Sequence, residues 1–255
     1  RAAPAEAPAP PSDSTAAGDA PVAAGTGGGT GIAPTRSSDD PGGDAASLFE
    51  QRDGALEAHE RSLARALKRA LADEQNSLLD ELRRAKGVPG IDVLLPGTSE
   101  HAGRYAKAAL ASVGAAAGAG GVKALPAAQA QSLASELASE LVAGLRPRLS
   151  RAIDDGGGDE GAATEALSAA YREWKTSRIE PLARHHVLSA WAAGSFAAAP
   201  KAGLQWVIDP EVGCSPDCAD NVLAGPTPKG EPFPTGQLHP PAHAGCRCLV
   251  VAPTR

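Results

Sequence analysis

The chain has 255 residues, enough for one or two domains and a sizeable core. Its 42% hydrophobic content rests largely on alanine, and with only Phe 3, Trp 3 and Tyr 2 the expectation is helical packing in place of a large β core. A formal net charge of -6 argues against a protein whose main work is neutralising nucleic-acid phosphates over a long surface, although a local basic patch remains compatible with it. No run of about 18 apolar residues occurs and no apolar leader opens the chain, so neither a membrane span nor a signal peptide is expected. A soluble, cytoplasmic protein is expected, and the absence of Met, with Arg1 first, reads as a processed chain or a segment of a longer one.

Residues 1–44 are about two-thirds Ala, Pro, Gly and Ser, with Val22 and Ile32 the only large aliphatics, so the stretch reads as a disordered linker. From Asp44 to Lys86 strong helix formers take over. Leu56, Leu63, Leu67, Leu71, Leu78 and Leu82 recur near the helical period and predict one long amphipathic helix. Asp44 or Ser47 would cap its start, Gly87 suits its C′ position, and Pro89 stops it. A second helix is expected from Thr98 or Ser99, failing in the glycine-rich stretch 114–121. Those glycines precede no Gly-Lys-Ser/Thr and follow no strand, so a frayed helix end is favoured over a phosphate loop.

A third helix is expected over 126–153, with Leu133, Leu137, Leu141, Leu145 and Leu149 every four residues and Pro147 kinking or splitting it. The acidic loop 154–161 lacks calcium-ligand spacing and reads as a linker with an acidic helix start. The last long helix covers roughly 162–198, kinked at Pro181. Its adjacent His185 and His186 point about 100° apart and are unsuited to sharing one metal. Residues 45–199 thus form a helical domain, and residues 200–255 form a separate small module.

All four cysteines lie in that module, as Cys214-x3-Cys218 and, 27 residues on, Cys246-x-Cys248, with His243 three before Cys246. Two sets of soft donors separated by a loop are the layout of a structural Zn2+ site, and a segment with so little core would draw folding free energy from the metal. Ser215 as N-cap, Pro216 at N1 and Asp217 in the first turn predict a short helix ending near Ala224, with Gly225 just past it. Cys218 falls in its first turn. Cys246 and Cys248 are expected to point to opposite sides, so five donors compete for four positions. The expected ligands are Cys214, Cys218, His243 and Cys246, with Cys248 in place of His243 as the next choice. Two disulfides, four metal-free thiols and a thiol redox pair at Cys214 and Cys218 are the competing readings. A catalytic zinc built with Glu231 and His239 is a further, weaker one. No Ser-His-Asp order or carboxylate pair emerges, so no catalytic residue is assigned and the chain is read as a non-enzyme.

The stretch Leu204–Pro253 resembles the C-terminal module of the phage Mu F-like (also SPP1 minor head protein-like) head-morphogenesis family. The resemblance is carried by Trp206 and Asp209 ahead of the first cysteines, Asn221 after them, Phe233-Pro234, Gly236, Pro240-Pro241 and the ending His243-x-x-Cys246-Arg247-Cys248. It covers less than a third of the chain, and it departs from many relatives in having three residues between the first two cysteines where they have two. It implies a minor protein of the capsid interior, in the virion or in the cytoplasm before assembly. Its partners would be portal-like or capsid-like proteins, or other copies of itself through the helices. Within the module, Trp206 is read as a packing anchor and Asp220 and Asn221 as binders of loop backbone. Arg247 is expected to pair with Asp209 or with thiolate charge, a phosphate contact being the alternative. The whole reads as a mainly α protein ending in a small α+β zinc module. The alternative is a bacterial helical scaffold that has kept a phage-derived module.

Overall fold

The computed structural model describes residues 41–201 and 203–253, with side chains from residue 46 onward. The linker expected over 1–44 therefore lies outside the described residues, apart from 41–44, which belong to the first helix. Helix α1, Pro41–Arg84, starts earlier than the caps expected at Asp44 or Ser47, because the fixed φ of Pro41 suits a first helical position. Its leucine stripe is the spine of the fold: Leu63, Leu67, Leu71 and Leu82 are fully buried. At roughly 1.5–3 kcal/mol for each buried leucine, this stripe supplies a large share of the helix's hold on its neighbours. Gly87, at φ +91°, turns the chain out of the helix as expected.

A single turn, α2 (Ile91–Leu94), leads into α3 (Thr98–Ala119), and α4 (Ala127–Asp155) packs along α3. One expectation fails here and another is narrowed, each for a physical reason. The helix does not fray at Gly114 but runs on to Ala119, because the small residues beyond it are where α3 meets a neighbour. A Cβ on Gly120 would lie 2.3 Å from the Trp191 carbonyl oxygen, so only glycine allows that approach. Pro147 does not split α4 either, since the helix continues through it to Asp155. Its missing N–H costs one bond, and the buried stripe Leu141, Leu145, Leu149 holds the turns on either side in place.

Asp159 caps α5 (Glu160–Glu173) by accepting from the Ala162 amide at 2.7 Å. The long helix expected over 162–198 is then interrupted by a π-helical turn, Trp174–Arg178, before α6 (Ile179–Ala198). Pro181 cannot donate to the Ser177 carbonyl, and the wider turn just ahead absorbs that loss. Helix α6 packs on both α1 and α3.

The remaining elements are small: β1 (Gly203–Val207), α7 (Pro216–Leu223), β2 (Thr227–Pro228) and β3 (Leu249–Val251). Strand β1 is central, antiparallel to β2 through Leu204↔Thr227 and to β3 through Trp206↔Val250. Two buried clusters result, one within the helices and a second around Leu204, Trp206, Phe233 and three cysteines. The described residues form one compact unit. Among the described residues no helix is long and apolar enough to cross a membrane.

Candidate metal centre

Local sequence places the first ligand. Ser215 caps α7 by accepting from the Cys218 amide at 3.4 Å, and Pro216 holds N1, so the Cys218 side chain projects from the first turn into the module core. On the opposite side the chain from His243 to Cys248 turns at Gly245, φ +79°, and enters β3. Cys218, Cys246 and Cys248 are all buried and their sulfurs all lie within 4.8 Å of one another, close enough to hold a metal ion. The Cys218 and Cys246 sulfurs are 3.7 Å apart. His243 joins them at Cys218, its Nε2 3.3 Å from the sulfur. Because the Ala244 carbonyl can only accept, its 2.8 Å contact fixes the proton on His243 Nδ1 and turns the Nε2 lone pair toward the thiols.

The expected ligand set is corrected in two ways. Cys246 and Cys248 do not diverge: side chains along an extended chain repeat every two residues, so positions two apart share a side, and both thiols face Cys218. Cys214, expected as a ligand, is exposed and stands outside the group, on the loop before the cap of α7. Cys248 therefore stands in the group with Cys218 and Cys246, and His243 reaches it only through Cys218. All four cysteines are free thiols here, without a disulfide.

The buried thiols differ sharply in acidity. Cys246 is pushed down to about 5, first by the hydrogen bond from the Cys248 thiol, against the opposing effect of burial. Cys248 moves up because it gives that bond and is itself buried, while the Trp206 indole pulls the other way. Burial also raises Cys218. Hydrogen bonding between the thiols thus favours the ionised form at Cys246 and the protonated form at Cys248. A soft cation would draw all three sulfurs into the thiolate form and satisfy this crowding.

The frame around the donors is well bonded. Asn221, fully buried on α7, donates to Thr235 Oγ1 at 2.8 Å and accepts from the Thr235 amide at 3.2 Å, which pins the connecting loop to the helix. Its neighbour Asp220 is exposed and takes no part. Trp206 packs edge-on against Phe233 at 5.0 Å. Arg247 donates to Asp209 at 3.1 Å, as expected from the sequence. Burial alone would raise Asp209, but the Glu211 amide and the Arg247 guanidinium outweigh it and hold the carboxyl below its ordinary value.

The sequence reading missed the other half of this cluster. Arg52 on α1, with its side chain 1% exposed, donates to the Arg247 carbonyl at 2.5 Å and lies 3.5 Å from Asp209. Asp53 accepts from both Arg52 and Arg247. The helical domain is thereby latched to the residue between two candidate ligands. A signal existed: Arg52 falls on the apolar stripe between Phe49 and Leu56, where a charge is out of place unless it has a buried partner. Set against family models, curated proteins and solved structures, the chain matches none of them. The chemistry of the site therefore rests on its own residues.

Two further groups lie elsewhere. His186 Nε2 donates to the Glu140 carboxylate at 2.9 Å, and its neighbour His185 packs edge-on to it with ring centroids 5.1 Å apart. Glu231 is exposed and His239 packs on Phe196 at 5.2 Å.

Proposed function

We propose that this chain is a non-catalytic assembly protein, a minor head protein of a virus or prophage capsid, whose C-terminal module is stapled by a structural zinc ion. The observation that carries the proposal is the group of three buried thiols, Cys218, Cys246 and Cys248, with His243 beside Cys218. With Zn–S near 2.3 Å and Zn–N near 2.0–2.1 Å, a tetrahedral ion sets sulfurs about 3.8 Å apart and a sulfur and an imidazole nitrogen about 3.5 Å apart. The separations of 3.7 and 3.3 Å stand close to those edges. With His243 turned in as the fourth donor, three thiolates and an imidazole would fill a tetrahedron and leave no position for water or substrate, which favours a structural over a catalytic ion. The resemblance over Leu204–Pro253 supplies the assembly role, since the donors and their supports Trp206, Asp209 and Asn221 are among the residues that carry it. Its partners would be portal-like or capsid-like proteins, in the virion interior or in the cytoplasm before assembly.

One observation favours the alternative of a cellular helical scaffold: the helices bury their own core, separate from the cluster in the module. Tagging the chain at its native locus and fractionating nuclease-treated lysate on a density gradient separates the two. Co-sedimentation with protein shells is expected for the head protein. Recovery only in small, shell-free fractions would overturn that role and favour the scaffold.

A further inference from the structure

A cleft of about 810 Å³ opens where the helical domain meets the loop that carries Cys246. Its walls are α4, the π-helical turn, α6 and residues 244–247. Nothing in the assembly role uses it. The volume lies in the range of small-molecule sites, roughly 300–1,000 Å³.

The lining is strongly biased in charge. Arg148, Arg151, Arg178, Arg184 and Arg247 face Glu140 and Glu173 only, within a chain whose net charge is -6. Some of that positive charge is already answered: Arg148 bonds Glu173 at 3.2 Å, and Arg247 is held by Asp209 and Asp53. Arg178 reaches Glu173 only at 3.5 Å and Arg184 reaches Glu60 only at 3.6 Å. Arg151 has no ion-pair partner among the described residues. Concentrating like charges in a concave, partly apolar site raises the local potential, and guanidinium forks match phosphate or carboxylate oxygens.

Two independent features point the same way. His185 lines the cleft, and its Nδ1 is buried without a hydrogen-bond partner among the described residues. The floor is apolar, made by Trp174, Leu182 and Leu188. Trp174 gets there because Gly144 has no Cβ, which would come within 2.9 Å of the ring. A bare inorganic anion would leave this floor uncovered, whereas a ligand with an apolar body and several negative charges would meet both halves of the site. The cleft also forms where a π-helical turn breaks the long helix, a distortion that recurs at functional sites.

We propose that this cleft binds a small, multiply charged organic anion of nucleotide size. Its charged end is held by Arg148, Arg151 and Arg178, and its apolar body rests on Trp174 and Leu182. The inference does not depend on the capsid reading. It does require the loop 244–247 in place, so the full chain is tested after metal loading. Isothermal titration with ATP, without added magnesium, is the first probe. Adenosine tests the need for charge, tripolyphosphate the need for the apolar body, and a short single-stranded oligonucleotide a nucleic-acid surface. ATP is expected to bind, with adenosine and tripolyphosphate each weaker by roughly tenfold or more. Arg151→Glu is expected to weaken ATP by a similar factor, while Arg61→Glu, an equal charge change on an exposed part of α1, leaves it unaltered. No ATP binding, equal effects of the two charge reversals, or binding confined to the oligonucleotide would each overturn the proposal. Far-ultraviolet circular dichroism and melting of Arg151→Glu confirm that the variant is folded.

Discussion

Replacing Arg52 by alanine tests how the module is fastened to the helices. The guanidinium is buried, lies 4.9 Å from the Phe49 ring, and spans α1 and the Arg247 carbonyl. Loss of that charged hydrogen bond, with a carbonyl left unsatisfied, is worth on the order of 1.5–3 kcal/mol. The bond to Asp53 adds only about 0.5 kcal/mol, because Asp53 is 43% exposed and solvent screens the pair. Asp209 loses a contact of 3.5 Å but keeps Arg247, so its share is smaller than that of an isolated buried charge. The expected loss is about 3 kcal/mol, or roughly a hundredfold rise in opening. It should be local. Hydrogen exchange on the metal-loaded protein is expected to show faster exchange across 203–253 and the first turns of α1, with α3 and α4 unaltered. Arg52→Lys should recover little, since a point charge cannot reproduce the fork. A loss below about 0.5 kcal/mol, or equal loss of protection in every helix, would refute the latch.

Three other sites give further checks. Gly194→Ala should destabilise by about 1–3 kcal/mol or more in a denaturant melt, because the new Cβ would lie 1.9 Å from the Ala117 carbonyl oxygen, where α3 and α6 touch. Tyr171→Phe removes a 2.8 Å bond to buried Glu74, which keeps the bond from Tyr105 at 2.9 Å, and should cost roughly 1.5–3 kcal/mol. Tyr105 and Tyr171 are the only tyrosines, and burial and then Glu74 raise both, so tyrosinate absorbance should appear only as the protein unfolds at high pH. Burial lowers His186 below its ordinary 6.5 despite its bond to Glu140. Below pH 6.5 the unfolded chain then binds a proton that the folded one does not, so stability should fall with falling pH until the folded form also takes the proton. Against wild type, His186→Gln should remove that part of the slope, measured as the difference between two pH series of chemical melts.

The sequence was most legible where periodicity and caps act locally. The leucine stripe of α1, the Ser215-Pro216 start of α7 and the turn at Gly225 follow from residues within a few positions of one another. Three features were harder, each because a distant segment decides. The glycines of 114–121 read as a fraying end until Gly120 is seen against the backbone of α6. Pro181 foretold a kink, but only packing on both sides selects a π-helical turn as the form it takes. In the candidate metal centre the donor types were legible, but which of them come together was not. Spacing alone favoured the pair Cys214 and Cys218, whereas the cap at Ser215 turns Cys218 inward and leaves Cys214 in solvent. Arg52 and Glu74 both stood on the buried stripe of α1 as visible irregularities. Their partners lie on other elements, 195 residues away in the case of Arg52 and Arg247.

The most direct test of the central claim is metal content, measured by elemental analysis and native mass spectrometry on reduced protein, together with thiol counting. One zinc per chain is predicted for the wild type and for Cys214→Ser. Cys218→Ser and Cys248→Ser are predicted to lose it, together with the protease resistance of residues 203–253. Wild-type protein that binds no metal and presents four freely reactive thiols, or zinc binding that requires Cys214 and tolerates loss of Cys248, would contradict it.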